Sequence, residues 1–357
     1  MKHIMKKALM CTLMPLALSM HAKKNQEVTT EKQVAHTGLH KVVILVGLPG
    51  LGKSEVRRYL ASLDQKDCVQ QFGIGQTVQL DDFPYVHFMR RVSDEAVARG
   101  HEGIFFLSPV LPFREPREWG VLTQLLNEDY QDLLDHKVIK PKSASLWLFD
   151  RIDAAHKKVG AQPVFKTMAK GLKKELAAAV EPEAKKLLAE KVAEIKKGAD
   201  LTNKTVIMEC ARGGADGSPM PLPAPFGYKY TLSQLSPAIL KDAVIFYIWG
   251  TPEESRRKNL ARANPKDPGS NLNHCVPQAV MYADYGCDDM RWLEQQSDKP
   301  HTIRVQAHGT TWYLPVGIFD NRTDLTTFVR DDIQRWKLSD VNTLHNALKE
   351  TFAHLQS

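Results

Sequence analysis

The chain has 357 residues, 43% of them hydrophobic and 25% charged, the balance of a folded globular protein rather than of a disordered or fibrous one. Its formal charge of +7 is unevenly placed: leaving out the three lysines of residues 1–22, the chain carries 45 basic against 41 acidic residues, and Val164 to Gly198 alone holds nine lysines against five glutamates. The remainder is balanced, which excludes a basic surface spread over the whole molecule.

Residues 1–22 combine a lysine-bearing start, an apolar run from Ala8 to Leu18 and the small residues Ala17 and Ser19, the pattern of a cleavable export signal. A start further downstream, at Met5, Met10, Met14 or Met20, is the competing explanation. The run falls short of the ~20 apolar residues that a span requires, and no later segment is a candidate, so no stable membrane span is expected. A polar linker follows over 23–37. Val42–Val46, a short continuous β-branched run, reads as a buried strand. Ser54–Leu63 reads as a helix, Thr77–Leu80 as a second strand closing on Asp81-Asp82, and Tyr85–Ala98 as a helix with Pro84 suited to its first turn.

Gly103 to about Leu134 holds the apolar patch IFFLSPVLPF and then a helix, and Ser145–Lys158 reads as another. From Val164 to Lys197 the Ala, Lys and Glu content is strongly helical, with Pro182 expected to break the run. Together these predict an all-helical insert over about 140–200. Strand signals return at Thr205–Met208, closing on Glu209, and at Val244–Trp249, with a Gly/Pro-rich loop between them and a charged helix over Pro252–Ala263. Thr302–Val305 and Trp312–Phe319 read as late strands, with helices near Asp324–Trp336 and Val341–Leu355. Strands alternating with helices predict an α/β fold around a mostly parallel sheet. The five cysteines form no CxxC pair; His274-Cys275 is the only local pair of soft metal ligands and lacks further partners.

One stretch carries the chemistry. In KVVILVGLPGLGKSEVRRYL, residues Gly47 to Ser54 fit G-x-x-x-x-G-K-[ST] between a buried strand and a helix. A loop that turns successive backbone N–H groups toward phosphate needs torsions and close approaches that Cβ atoms forbid, and the helix that follows adds a field favourable to anions. On this motif the chain resembles the P-loop NTPases, and among them the kinases that act on small molecules and nucleotides; the resemblance covers most of the chain after residue 40 except the helical insert. It implies a three-layer P-loop fold over 38–357. It also implies that Gly47, Gly50, Leu51, Gly52, Lys53, Ser54 and Glu55 bind ATP, with Lys53 on the β- and γ-phosphates and Ser54 completing a Mg²⁺ shell.

Other motifs narrow the class. The NKxD and DxxG signatures of GTPases and the Asp-Glu strand end of motor ATPases are missing. TVQLDDFPY resembles the strand-Asp-Asp-aromatic segment of polynucleotide kinases and antibiotic phosphotransferases, which makes Asp81 the expected general base and Asp82 its neighbour or a substrate contact; a helix cap ahead of Pro84 is the structural alternative. Glu209, closing an apolar strand, is expected near Mg²⁺ or substrate, and Arg212, ahead of Gly213-Gly214, near an anionic or polyol substrate. The aromatic residues Phe226, Tyr228 and Tyr230 of the Pro-rich loop are candidates to cap that pocket. Arg257-Lys258-Asn259-Leu260-Ala261-Arg262 resembles the R-x-N-x-x-R pattern of a kinase lid, placed here over about 250–290, with Arg257 or Arg262 closing on the transferred phosphoryl. Asn321, in Asp320-Asn321-Arg322, resembles the turn that lies against adenine.

The expected activity is transfer of the γ-phosphoryl of Mg·ATP to a hydroxyl of a small polar or nucleotide-like acceptor. The alternative is an NTP-binding switch or scaffold that engages a partner through its helical insert. Nucleic acid is a less favoured partner for the lysines between Val164 and Gly198, where Phe165 is the lone aromatic residue to stack a base. ATP chemistry implies a cytosolic compartment, which stands in tension with the export-like start.

Overall fold

Val42–Val46 (β1) is a row of β-branched and leucine side chains, and every one of them is buried. Alternation along the strand explains this: Val43 and Leu45 join one hydrophobic cluster while Val42, Ile44 and Val46 join another on the opposite face. A strand covered on both faces sits inside a sheet flanked by helices. The computed structural model, which describes residues 38–262 and 275–356, shows this arrangement around six strands in the order β2-β3-β1-β4-β6-β5. The others are Gln76–Asp81 (β2), Lys204–Cys210 (β3), Ala243–Trp249 (β4), Thr302–Ala307 (β5) and Thr310–Asp320 (β6). All neighbours pair in parallel except β5, which runs antiparallel along β6. The molecule is therefore α/β, with a mostly parallel sheet between layers of helices.

Parallel strands must be joined by crossovers, and the crossovers here are helical. Lys53–Ser62 (α1) and Gln65–Phe72 (α2) lead from β1 to β2. Between β2 and β3 lie Phe83–Ala98 (α3), Glu118–Leu134 (α4), Ala144–Lys158 (α5), Val164–Thr167 (α6), Lys170–Ala179 (α7) and Glu181–Lys197 (α8). The helical run stops at Val180 and restarts with Pro182 in the first turn of α8, where a missing N–H leaves no bond unmade. Ser143 caps α5, and the Glu181 carboxylate accepts the N–H groups of Ala144 and Ser145, so the starts of α5 and α8 share one set of hydrogen bonds.

The lysine-rich segment is tied to the sheet. Glu194 of α8 accepts the N–H of Gln79 at 2.7 Å, closing part of the open edge of β2. Buried Lys191 is paired with Asp129 and Asp132 of α4 (2.9 Å to Asp132), and Arg151 of α5 binds Asp129 at 2.8 Å. These charges serve the interior.

After β3 come Gly227–Gln234 (α9) and Pro237–Leu240 (α10), and after β4 come Pro252–Ala261 (α11), Gln278–Ala283 (α12) and Met290–Gln295 (α13). Leu338–Ala353 (α14) closes the chain against β6. The region expected to be helical near Asp324–Trp336 forms two short 3₁₀ turns, Thr327–Arg330 and Ile333–Arg335. Side chains explain the difference: Asn321 takes the N–H of Leu325, Asp324 that of Thr327 and Asp332 that of Gln334, replacing the bonds an α-helix would use. Among the described residues no helix is long and apolar enough to cross a membrane. The export-like leader, the linker and the 263–274 part of the expected lid lie outside the described residues.

Candidate functional site

In a parallel sheet all strands end on the same edge, and that edge gathers the motifs. Asp81 and Glu209 are register partners at the tips of β2 and β3, and the loop Gly47–Gly52 leaves the tip of β1 beside them. A cleft open to solvent is lined there by Gly50, Gly52, Lys53, Ser54, Glu55, Asp81, Asp82, Glu209 and Arg262. Motifs spread over more than 200 residues thus face one space.

The loop is shaped by its glycines and held from outside. Gly52 stands at the start of α1 with φ +113°, and a Cβ there would lie 2.5 Å from Thr326 Oγ1 and 3.0 Å from Asn321 Nδ2. Gly50, at φ +81°, would meet the backbone N of Asn259 at 2.9 Å. Both positions combine a left-handed torsion with a close approach, which only glycine satisfies. Asn321 is fully buried and donates to Leu51 O at 2.6 Å and to Thr326 Oγ1 at 2.8 Å. It does not line the cleft; it braces the loop from behind. Gly47 N–H donates at 2.8 Å to the Tyr228 hydroxyl, which also accepts the N–H of Arg212 at 3.2 Å, so one buried oxygen couples the ends of β1 and β3.

No side chain caps the N-terminus of α1, whose first residues face the cleft. Lys53 is buried and folds back, donating to Gly47 O at 2.8 Å and Leu48 O at 3.3 Å. Burial holds its pKa below the ordinary lysine value, against the pull of Glu209. The Ser54 hydroxyl makes no hydrogen bond among the described residues. Glu55 is ion-paired to Arg330.

The carboxylates differ in their partners. Asp82 is paired at 2.5 Å with Arg212, which is buried under Trp119 with its guanidinium 5.3 Å from the ring centroid. Arg212 therefore spends its charge internally and does not line the cleft, away from the substrate contact expected of it. Glu209 is held by Arg57, which also donates to Gln79. Asp81 accepts the N–H of Phe83 at 2.8 Å and lies 4.0 Å from Arg57. Burial, then the charges of Glu209 and Asp82, push the Asp81 carboxyl up to about 7.

Among the expected lid arginines, Arg262 lines the cleft, and its buried Nε has no partner among the described residues. Burial holds its pKa below the usual arginine range. Arg257 is exposed and paired with Glu254 and Asp324, outside the cleft. The three aromatic residues of the Pro-rich loop also stay outside: Tyr228 couples the ends of β1 and β3 through its hydroxyl, and Tyr230 and Phe226 do not line the cleft. Instead, Phe106 and Phe113 of the IFFLSPVLPF patch stack at 4.4 Å and line the cleft with Phe83, Trp119, Val280 and Tyr285. Two prolines in that patch, without helical or strand period, were its only sequence signal. Arg57 carries the helical i+4 spacing from Lys53, but nothing local ties it to Glu209.

Gly213 and Gly214 have a packing role. A Cβ on Gly213 would lie 2.5 Å from Cys287 O and 2.7 Å from Asp284 O, and Gly214 exchanges backbone hydrogen bonds with Gly286 and Cys287. The glycine pair lets the 284–287 segment lie against the end of β3, which brings Asp284 and Tyr285 to the cleft. Among the described residues no group of three His, Cys, Asp or Glu side chains forms a metal-holding cluster. His274 of the soft-ligand pair lies outside the described residues. Comparison of the chain with protein-family models, with curated proteins and with solved structures returned no match.

Proposed function

We propose that this protein is an ATP-dependent phosphotransferase of the P-loop kind, acting on a hydroxyl of a small acceptor. The observation that carries the reading is the convergence, in one cleft, of the Gly50–Ser54 loop with Lys53, the carboxylates Asp81 and Glu209, and Arg262 with an unpartnered buried nitrogen. The uncapped start of α1, Lys53 and Arg262 together suit a polyphosphate.

In this reading Lys53 leaves the carbonyls of Gly47 and Leu48 to hold the phosphates, and the N–H groups at the start of α1 donate to them. Ser54 and Glu209 would hold Mg²⁺, which would supply charge neutralisation when bound. Asp81 orients the acceptor hydroxyl and takes its proton as the oxygen forms a bond to the γ-phosphorus and the bond from that phosphorus to the ADP oxygen breaks. Arg57 keeps Glu209 in place beside Asp81, and Arg212 holds Asp82 still. Arg262, which lines the same cleft, would neutralise the charge that develops on the transferred group.

The test is phosphoryl transfer from labelled ATP across an acceptor panel, with Asp81→Asn compared to wild type. Turnover is expected to fall by roughly 10²-fold or more while ATP affinity changes little. Equal rates for the two proteins would refute the assignment of Asp81. The partner-binding switch draws less support, because Lys191 and Glu194 of the lysine-rich segment are committed to internal contacts.

A further inference from the structure

The acidic residues that line the cleft are not equivalent. Asp82, Glu209 and Glu55 each have an arginine partner, and Asp81 accepts a backbone N–H. Asp284 has neither. It follows α12, is 5% exposed, and its carboxylate makes no hydrogen bond or ion pair among the described residues. Burial by itself pushes its pKa up to about 7. A buried carboxylate left without a partner is costly, and the cost is recovered when a ligand brings the complementary charge.

The surroundings of Asp284 narrow what that ligand is. The cleft beside it is walled by Phe106, Phe113, Trp119, Val280 and Tyr285; the Arg90 guanidinium covers the Phe106 ring at 3.9 Å and Arg212 lies against Trp119, which leaves Phe113 and Tyr285 as the aromatic side chains of this wall without a cation of their own among the described residues. Aromatic faces attract organic cations as well as apolar bodies.

We propose that Asp284 and this aromatic wall form the acceptor subsite, and that the acceptor is a hydroxylated amine: an organic cation with an apolar body, whose ammonium pairs with Asp284. The proposal rests on the phosphotransferase reading only for the fate of the acceptor's hydroxyl; the binding site stands on Asp284 and the wall.

The test uses two small probes of the same shape, phenylethanolamine and 1-phenylethane-1,2-diol, in which a hydroxyl replaces the amine. Binding to the full chain is measured by ligand-observed NMR or calorimetry at pH 8 without nucleotide. The amine is expected to bind at least tenfold more tightly than the diol, and Asp284→Asn, with its fold checked by circular dichroism, is expected to remove that difference. Equal affinities in the wild type, a preference that survives Asp284→Asn, or no binding of either probe would overturn the subsite. Because the wild-type comparison needs no variant, it decides even where Asp284→Asn does not fold. Transfer from labelled ATP is then followed with both probes. Discriminating binding without transfer to either would count against the phosphotransferase and leave the subsite in place, whereas transfer to both with the same KM would do the reverse.

Discussion

Replacing Tyr228 by Phe removes one oxygen and leaves the volume of the ring in place. That oxygen accepts the N–H of Gly47 at 2.8 Å and of Arg212 at 3.2 Å, and Tyr228 is fully buried, so water cannot replace it. Each orphaned buried donor costs about 1–3 kcal/mol, and with no cavity term the sum for Tyr228→Phe is about 2–6 kcal/mol. Urea unfolding followed by tryptophan fluorescence should show the midpoint falling with an unchanged slope. Tyr130→Phe is the control: Tyr130 is also buried, but its hydroxyl makes no hydrogen bond among the described residues, so its loss should be close to neutral. The two donors lie at the ends of β1 and β3, so ATP affinity should weaken in Tyr228→Phe alone. If Tyr228→Phe unfolds within about 0.5 kcal/mol of wild type and binds ATP equally well, the hydroxyl does not hold the ends of β1 and β3 together.

Three further outcomes follow from the same geometry. The Asp81 carboxyl, held up to about 7 by burial and by its acidic neighbours, acts as a base only when ionised, so kcat/KM should rise with pH through about 7 and level off above it; a limb near pH 4 would remove Asp81 from that role. Gly52→Ala forces a side chain into φ +113° and against Thr326 and Asn321, and should cost at least about 2 kcal/mol, while Gly160→Ala, at φ +71° in open space, should cost about 1 kcal/mol; similar losses in thermal unfolding would contradict the crowding at Gly52. Glu181 is pushed up by burial but pulled further down, to about 2, by hydrogen bonds from Ser145, Ala144 and Ser143. Its folded pKa lies below the unfolded value, so its stabilisation is present above about pH 4.5 and lost as pH falls toward 2. Glu181→Gln should therefore cost about 1–3 kcal/mol at pH 7, with the gap to wild type closing in acid; a gap that does not change with pH would show that charge plays no part.

Much of the architecture is legible in local patterns. Runs such as VVILV and TVIMEC announce buried strands because a strand covered on both faces has no polar side to show. The Ala/Lys/Glu content between Val164 and Lys197 announces helix, and Pro182 falls where the helix restarts. Asn321 stands out beside a strand end, but its task of bracing Leu51 from behind is not written locally.

Partnerships across the chain are another matter. Arg57 and Glu209 are 152 residues apart, and nothing near either names the other. Arg212 looked free for substrate until the fold set it against Asp82, and Arg257 looked like a closing arginine until α11 turned it toward Glu254 and solvent. Conversely, Asp284 and the rings of Phe106 and Phe113 gave no sign of a site, since an apolar patch and a lone carboxylate read the same wherever they end up.

By itself, then, the amino-acid order determined the strands, the glycine loop and the carboxylates at strand tips, because these depend on torsions and periodicities within a few residues. Which charges are spent internally, which remain to meet a ligand and what walls the cleft were decided only by tertiary packing, because desolvation and ion pairing depend on neighbours that the chain brings together from far apart.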